Sequence, residues 1–384
     1  MNVATRIDGQ CLILSVTGRI AGDTVATLDQ AWLTTEMRQW IVNLAGCDYV
    51  SSAGLRIFLK MAREAKANNV SLSFIDVLPS VQHIFDVTGL SQLLNVQARP
   101  REVSIEGLEF LSAGVCGQCF RLDQETIVKL YNDGVGREVA EQEKAFAKAA
   151  FVVGIPTALS YDVVVCGERT GVVYEMLDAK LFSRMIASDP KNVSSFAAEL
   201  AKIAKNFHAT TGNPEVFPDL KLKLSSHINA LRGELSDADV DHLQGRLQAI
   251  PDAETLVHFD LHASNIMIRD GEPLIIDMGD VSRGHPLFDI GVIAMIYAYP
   301  ETGNCEFVTG VPNQLGRHFY ECFLDAYFSD RPPDERAIFN RNEAFLASLR
   351  LIAAMAFLPA ARAMLLEKVR DFLMPRIRQE GAPN

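Results

Sequence analysis

The segment Leu256-Val257-His258-Phe259-Asp260-Leu261-His262-Ala263-Ser264-Asn265-Ile266-Met267-Ile268, with Leu274-Ile275-Ile276-Asp277 behind it, constrains this chain more than any other stretch. Two short apolar runs bracket a polar turn carrying Asp260 and Asn265, and Asp277 ends the next apolar run. A carboxylate in such a turn can orient a hydroxyl and accept its proton, while Asn and Asp oxygens can hold Mg²⁺ on nucleotide phosphates. These residue types in this order point to phosphoryl transfer. The rest of the chain is then expected to supply a nucleotide site, an acceptor site and whatever precedes them.

The pattern HxDxHxxN followed by Asp277 resembles the catalytic segment of aminoglycoside phosphotransferases and choline-kinase-like enzymes, the small-molecule branch of the protein-kinase fold. The resemblance implies Asp260 as catalytic base, Asn265 and Asp277 as metal ligands, and His258 and His262 as residues that shape the loop. The sequence departs at Phe259, where the family usually has Gly, and at Met278, where an aromatic is common. Neither position carries the chemistry, so the departures bear on loop geometry and substrate access. Gly284-His285-Pro286-Leu287-Phe288-Asp289 resembles the family's GDPxxD element, with His285 in place of its first Asp. Asp289 reads as a buttress of the catalytic loop, and Asp280 as buttress or participant.

Upstream, Leu108 to Ser112 and Thr126 to Tyr131 read as strands around a glycine-containing turn from Ala113 to Gln118. By the same resemblance, Gly114 and Gly117 would lay backbone N–H groups over the nucleotide phosphates, and Lys129 would neutralise phosphate charge. The helical stretch Arg137 to Phe151 offers Glu138, Glu141 and Glu143; Glu143 is the expected partner of Lys129, with Glu141 as runner-up. Ile155 to Thr157, Val163 to Val165 and Gly171 to Tyr174 would complete a five-stranded lobe. Tyr174-Glu175-Met176-Leu177 resembles the hinge whose backbone pairs with adenine, through Glu175 and Met176. Cys116 and Cys119 sit in the phosphate turn as CxxC, either a redox gate or two small side chains. Beyond the hinge, Ser194 to His208, Lys221 to Leu231, Asp237 to Ile250, Gln314 to Tyr327, Pro333 to Ala354 and Ala360 to Leu373 are expected helices, and Pro375 to Asn384 a frayed end. His208 reads as a packing or capping residue.

The first hundred residues alternate differently. Cys11 to Val16, Trp40 to Leu44 and Ser71 to Val77 read as strands. Helices capped by Asp23, following Ser51-Ser52, and opening at Pro79 lie between and after them, which implies a small α/β unit. Ser51-Ser52-Ala53-Gly54-Leu55 after Asp48-Tyr49-Val50 resembles the STAS domain of bacterial anti-sigma-factor antagonists, as does Val87-Thr88-Gly89-Leu90 further on. In that family a Ser or Thr of this turn is phosphorylated by a partner kinase. Ser52, then Ser51, is the implied acceptor here; both are equally ordinary helix-capping residues, and the two readings stay open.

The expected architecture is therefore an α/β STAS domain (1–97), a linker (98–107) around Arg99-Pro100-Arg101-Glu102, and an α+β bilobal protein-kinase-like domain. Its amino lobe would span 108–178 and its helical lobe 179–384. A chain of 384 residues exceeds what one core usually holds. Its net charge of −12 argues against a nucleic-acid or anionic-membrane surface, and its seven scattered cysteines read as reduced thiols. With no signal-like start and no apolar run long enough to span a bilayer, the cytoplasm is the expected compartment. Together with the resemblances, these features imply an ATP- and Mg²⁺-dependent phosphotransferase that moves the γ-phosphate to a small-molecule hydroxyl under a regulatory STAS domain. Two alternatives stand beside it: a protein serine kinase acting on its own or a partner's STAS domain in sigma-factor partner switching, and a nucleotide-binding pseudokinase scaffold. The implied partners are a hydroxylated small molecule or a STAS-domain protein, with an anti-sigma factor or a PPM-type phosphatase.

Overall fold

The computed structural model describes residues 1–22, 24–32, 37–299, 301–302 and 305–380, which form two compact units, Met1–Val103 and Ser104–Asn384. In the first unit the strands are β1 (Asn2–Asp8), β2 (Cys11–Ile20), β3 (Gln39–Val50), β4 (Ser71–Val77) and β5 (Val96–Ala98), paired in that order. β1 runs antiparallel to β2 and the other neighbours are parallel. Leu12, Leu14 and Val16 on β2 and Trp40, Val42 and Leu44 on β3 point inward at the two-residue period of a pleated strand. They meet α2 (Ser52–Ala67), which turns Gly54, Phe58, Met61 and Ala65 toward the sheet; α1 (Val25–Gln30) and α3 (Pro79–Val87) complete the unit. Phe58, Phe74 and Phe85 pack edge to face with ring centres 4.7–6.1 Å apart. β1 was not foreseen because it is a largely exposed edge strand with little apolar patterning. Asp23, the expected cap of α1, lies outside the described residues.

The second unit opens with an antiparallel sheet of β6 (Glu109–Ala113), β7 (Gly117–Arg121), β8 (Thr126–Tyr131), β9 (Ser160–Cys166) and β10 (Arg169–Glu175), in the order β9-β10-β8-β7-β6. Helix α4 (Arg137–Val152) crosses between β8 and β9. Two expectations need correcting. Gly117 and Gln118 belong to β7, not to the turn, and Ile155 to Thr157 forms no strand of this sheet. Pro156 has no N–H to give a ladder, and only its carbonyl is used, accepting from Ile275 N–H at 2.8 Å.

Helices α5 (Phe182–Ser188), α6 (Val193–His208), α7 (Leu220–Asn229) and α8 (Asp237–Ala249) lead to four short strands. Strands β11 (Leu256–Val257) and β14 (Ser282–Arg283) pair, and β12 (Ile266–Arg269) and β13 (Glu272–Ile275) form a hairpin. Next come α9 (Leu287–Tyr297), α10 (Cys305–Thr309), α11 (Asn313–Phe328), α12 (Pro333–Asn340) and α13 (Glu343–Phe357). All eleven residues of α9 are buried, the signature of a helix enclosed on every side. The single helix expected over Pro333 to Ala354 is broken at Arg341-Asn342 into α12 and α13. Of the tail expected to fray, the part up to Glu380 is helical from Met374, after a wide π-turn over Lys368–Leu373, and 381–384 lie outside the described residues.

That tail has a structural task. Glu380 accepts the N–H groups of Ala344 (2.5 Å) and Phe345 (3.3 Å) at the start of α13 and lies 3.3 Å from Arg246. Burial pushes its carboxyl up to about 6, against the pull of the two amides and Arg246. Between the unfolded and folded values the folded chain holds the extra proton, so stability falls as pH rises from about 4.5 to 6.5. A shift of this size corresponds to about 2 kcal/mol. Glu380→Gln is expected to abolish that share of the fall. Urea unfolding of both proteins at pH 4.5 and 6.5 checks it, since other titrating groups cancel in the comparison.

Candidate active site

The site is built from strand β8 downward. Lys129 projects from β8 toward α4, where its Nζ lies 2.9 and 3.0 Å from the two Glu143 oxygens and 2.8 Å from Asp277 Oδ1. Glu143 is buried and also accepts the hydroxyls of Tyr131 and Tyr174, the latter at 2.6 Å. Burial alone would lower the Lys129 pKa, but Glu143 and Asp277 hold it well above the ordinary lysine value. Burial raises the Asp277 pKa, and the bond to Lys129 outweighs it, leaving the carboxyl below its ordinary value. Glu141 turns to Arg137 at 3.2 Å instead. The two tyrosines went unforeseen, although Tyr131 lies two residues from Lys129 on the same strand.

The turn between β6 and β7 is closed by Gly114 N–H on the Gly117 carbonyl at 2.9 Å. A Cβ at Gly117 would lie 2.1 Å from the Leu130 carbonyl oxygen, so only glycine lets β7 lie this close to β8. Cys116 and Cys119 are free thiols, and burial pushes both pKa values up, which disfavours the reactive thiolate. At the hinge the Glu175 amide donates to Leu159 O (2.9 Å) and the Met176 amide to Glu125 O (2.7 Å). The donors expected for adenine are thus engaged within the chain. Leu177 carries the next amide, which makes no hydrogen bond among the described residues.

Below the hairpin, the loop between β11 and β12 is pinned from behind. Asp289, fully buried on α9, accepts Phe259 N–H at 2.6 Å and His258 N–H at 2.9 Å. It also meets His208 Nε2 of α6 at 2.9 Å, and His208 Nδ1 meets the Tyr327 hydroxyl at 2.8 Å. His208 is therefore part of the buttress. Phe259 sits at φ +60°, a left-handed conformation that favours glycine and strains a bulky residue. Its buried ring compensates by packing. His258 contacts the Ile276 carbonyl through Nε2 (3.1 Å) and accepts Asp260 N–H at Nδ1 (3.3 Å); His262 Nδ1 accepts Ser264 N–H (3.2 Å). Both histidines hold the shape of the loop.

Asn265 donates from Nδ2 to the Asp260 carbonyl (2.9 Å) and to Asp260 Oδ2 (3.2 Å), which leaves its Oδ1 for a cation. Asp260 Oδ1 lies 3.1 Å from Arg350 Nε, a contact the sequence reading missed. The signal was a lone arginine in the apolar run of α13. Arg350 also reaches Asp280 at 3.2 Å, and Asp280 reaches Lys223 of α7 at 3.4 Å. Burial would raise the Asp260 pKa, but Arg350 and then His262 hold it well below the carboxylate range. Among the described residues no group of three or more His, Cys, Asp and Glu side chains could itself hold a metal ion. Asn265 Oδ1 with the Asp277 carboxylate instead suits Mg²⁺, which takes one or two protein oxygens and completes its shell from phosphates and water.

In the first unit, Ser51 caps α2, its side chain accepting Gly54 N–H at 3.4 Å. Ser52 is exposed in the first turn. A Cβ on Gly54 would lie 2.6 Å from an Ile20 methyl, so this turn needs a glycine where the helix meets β2.

A sheet carrying a buried Lys–Glu pair, set over a helical body whose loop presents Asp, Asn and a second Asp, defines the two-lobed kinase-like class. Residues 108–336 match the family model described as the phosphotransferase enzyme family; this is more than half of the chain, and the chain belongs to that family. Residues 3–95 match a model described as Mlab, STAS domain. Among curated proteins, one from Bordetella bronchiseptica named as an anti-sigma factor antagonist, BtrV, is 31% identical over 67 residues, or 17% of this chain. The chain spans 57% of that relative's length. Among solved structures, a ternary complex of a thermostable mutant of aminoglycoside phosphotransferase APH(4)-Ia with AMP-PNP and hygromycin B is similar at 14% identity and TM-score 0.50. The match covers 73% of this chain and 98% of that one. A choline/ethanolamine kinase family protein from Mesorhizobium loti is 17% identical over 72% of this chain and 88% of its own, at TM-score 0.45. No helix among the described residues is long and apolar enough to cross a membrane.

Proposed function

We propose that the chain is an ATP- and Mg²⁺-dependent kinase that phosphorylates a hydroxyl of a small molecule, with its STAS unit as the regulatory part. The observation that carries this is the three-way contact of Lys129 with Glu143 and Asp277 beside an Asp260 held ionised and tied to Asn265. Lys129 would bind nucleotide phosphates and Asp260 would orient the acceptor hydroxyl and take its proton. Asn265 and Asp277 would hold Mg²⁺, which neutralises phosphate charge when bound. Glycines 114 and 117 shape the turn that would cover the phosphates, and the Glu175–Leu177 segment would face the adenine, with Leu177 N–H as the donor still available. The solved neighbour holding AMP-PNP supports nucleotide use.

The exposed Ser52 at a helix start favours a second acceptor, since a phosphate there would meet free backbone amides. In that reading the chain phosphorylates its own or a partner's STAS turn. The test is incubation of the full-length chain with Mg-ATP, intact and peptide mass spectrometry, and Asp260→Ala in parallel. ATP turnover without a protein phosphate supports the small-molecule kinase. A phosphate on Ser52 or Ser51 that vanishes in the variant supports the protein kinase, and absence of any turnover with every acceptor class overturns both.

A further inference from the structure

Arg350 is the group in the site that the proposed chemistry does not use. It enters from α13, its side chain 12% exposed, and two of its three guanidinium nitrogens are held by carboxylates. Nε faces Asp260 Oδ1 at 3.1 Å and Nη2 faces Asp280 Oδ2 at 3.2 Å. The Phe259 and Phe357 rings lie 5.7 and 5.4 Å from its central carbon. The residue standing where related chains usually have glycine is thus one of those that fix the arginine. The third nitrogen, Nη1, is buried and has no hydrogen-bond partner among the described residues.

Helix α7 brings two more nitrogen-bearing side chains to Asp280's side of the site. Lys223, its side chain a third exposed, places Nζ 3.4 Å from Asp280, and four residues along α7 the buried His227 Nδ1, donor or acceptor by tautomer, also has no partner among the described residues. Asp260 already serves Arg350 and Asn265, and Asp280 serves Arg350 and Lys223. Both carboxylates thus already face a guanidinium or ammonium group, while Arg350 Nη1 is a buried cationic donor left without an acceptor among the described residues. An unpaired buried donor is costly, and an oxygen-rich anion is the ligand that satisfies it. An ammonium group placed at Arg350 Nη1 would instead leave that donor unpaired and meet a like charge.

We propose that Arg350, with Lys223 and His227, forms a subsite for an anionic group, carboxylate or phosphate, next to the acceptor hydroxyl. The substrate class is then hydroxy acids or phosphorylated alcohols, not polycationic aminocyclitols. The inference rests on the phosphotransferase reading and deepens it.

Thermal unfolding of the full-length chain with Mg-AMP-PNP bound tests it, with D-glycerate and glycerol phosphate compared at equal ionic strength with glycerol and hygromycin B. Either anion is expected to raise Tm by about 2–4 °C, the size a ligand well above its Kd gives in a chain of this length. Glycerol and hygromycin B should leave it unchanged. Arg350→Gln should remove the shift, and Lys223→Ala, a substitution at the more exposed end of the cluster, should shrink it if Arg350→Gln proves too unstable to compare. Response to only one anion tells carboxylate from phosphate within the proposal. Equal shifts with glycerol or hygromycin B, no shift with either anion, or anion shifts undiminished in both variants would overturn it. Failure of Mg-AMP-PNP itself to raise Tm counts against the phosphotransferase reading and is seen separately.

Discussion

Asp260→Asn is expected to lower turnover about 10²- to 10⁴-fold, the range that loss of a positioned general base gives. The amide keeps the shape and one acceptor for Arg350 Nε but cannot take a proton. Nucleotide affinity should hardly change, because Lys129, Glu143 and Asp277 remain in place. The pH profile gives a second reading of the same group. A folded pKa held well below the usual carboxylate range keeps Asp260 ionised, and its charge is lost only as pH falls through that lowered value. Between pH 8 and pH 5 the wild-type rate should therefore show no fall due to this carboxylate. Initial rates of ADP formation in both proteins across that range check both parts. A variant within a few-fold of wild type would remove Asp260 from the chemistry.

The Lys129–Glu143 contact was legible because the family resemblance pointed to both residues and the structure brings them together. A buried lysine needs a carboxylate partner, the resemblance implies one from the following helix, and Glu143 lies on the inner face of α4 where Glu141 does not. The first unit was legible from two-residue alternation on β2 and β3 and from the Ser51-Ser52-Ala53-Gly54-Leu55 turn that carries the STAS resemblance. What stayed hidden joins residues far apart in the chain. Arg350 lies 90 residues beyond Asp260, and His208 reaches Asp289 across 81. Neither partner alters the local pattern of the other. The boundary errors have local causes that compete with periodicity: a proline without an N–H at 156, and a helix interrupted at Arg341-Asn342. At the hinge, the family resemblance located the segment, but amide pairing with Glu125 and Leu159 depends on how the strands register.

The second large effect is expected at Asp289, which touches no reacting atom. Its two oxygens accept Phe259 N–H, His258 N–H and His208 Nε2 in a fully buried setting. Asp289→Ala strands two loop amides and a histidine away from water, an imbalance that costs about 3–5 kcal/mol when a buried charged partner is removed. Total stability is on the order of 5–15 kcal/mol, so the second unit should lose much of its margin. Asp289→Asn should be nearly as harmful. Three donors converge on this carboxylate, and the amide offers one oxygen while turning its own N–H groups toward the rest. That distinguishes a buttress from a group valued for charge alone. Both tryptophans, Trp32 and Trp40, lie in the first unit, so their fluorescence reports its unfolding and serves as the control. Far-ultraviolet circular dichroism, dominated by the helices of the second unit, should show a transition at lower urea in both variants while the tryptophan midpoint stays put. If Asp289→Asn unfolds with the wild type, the loop is held by something other than this carboxylate, and Phe259 at positive φ would need another restraint.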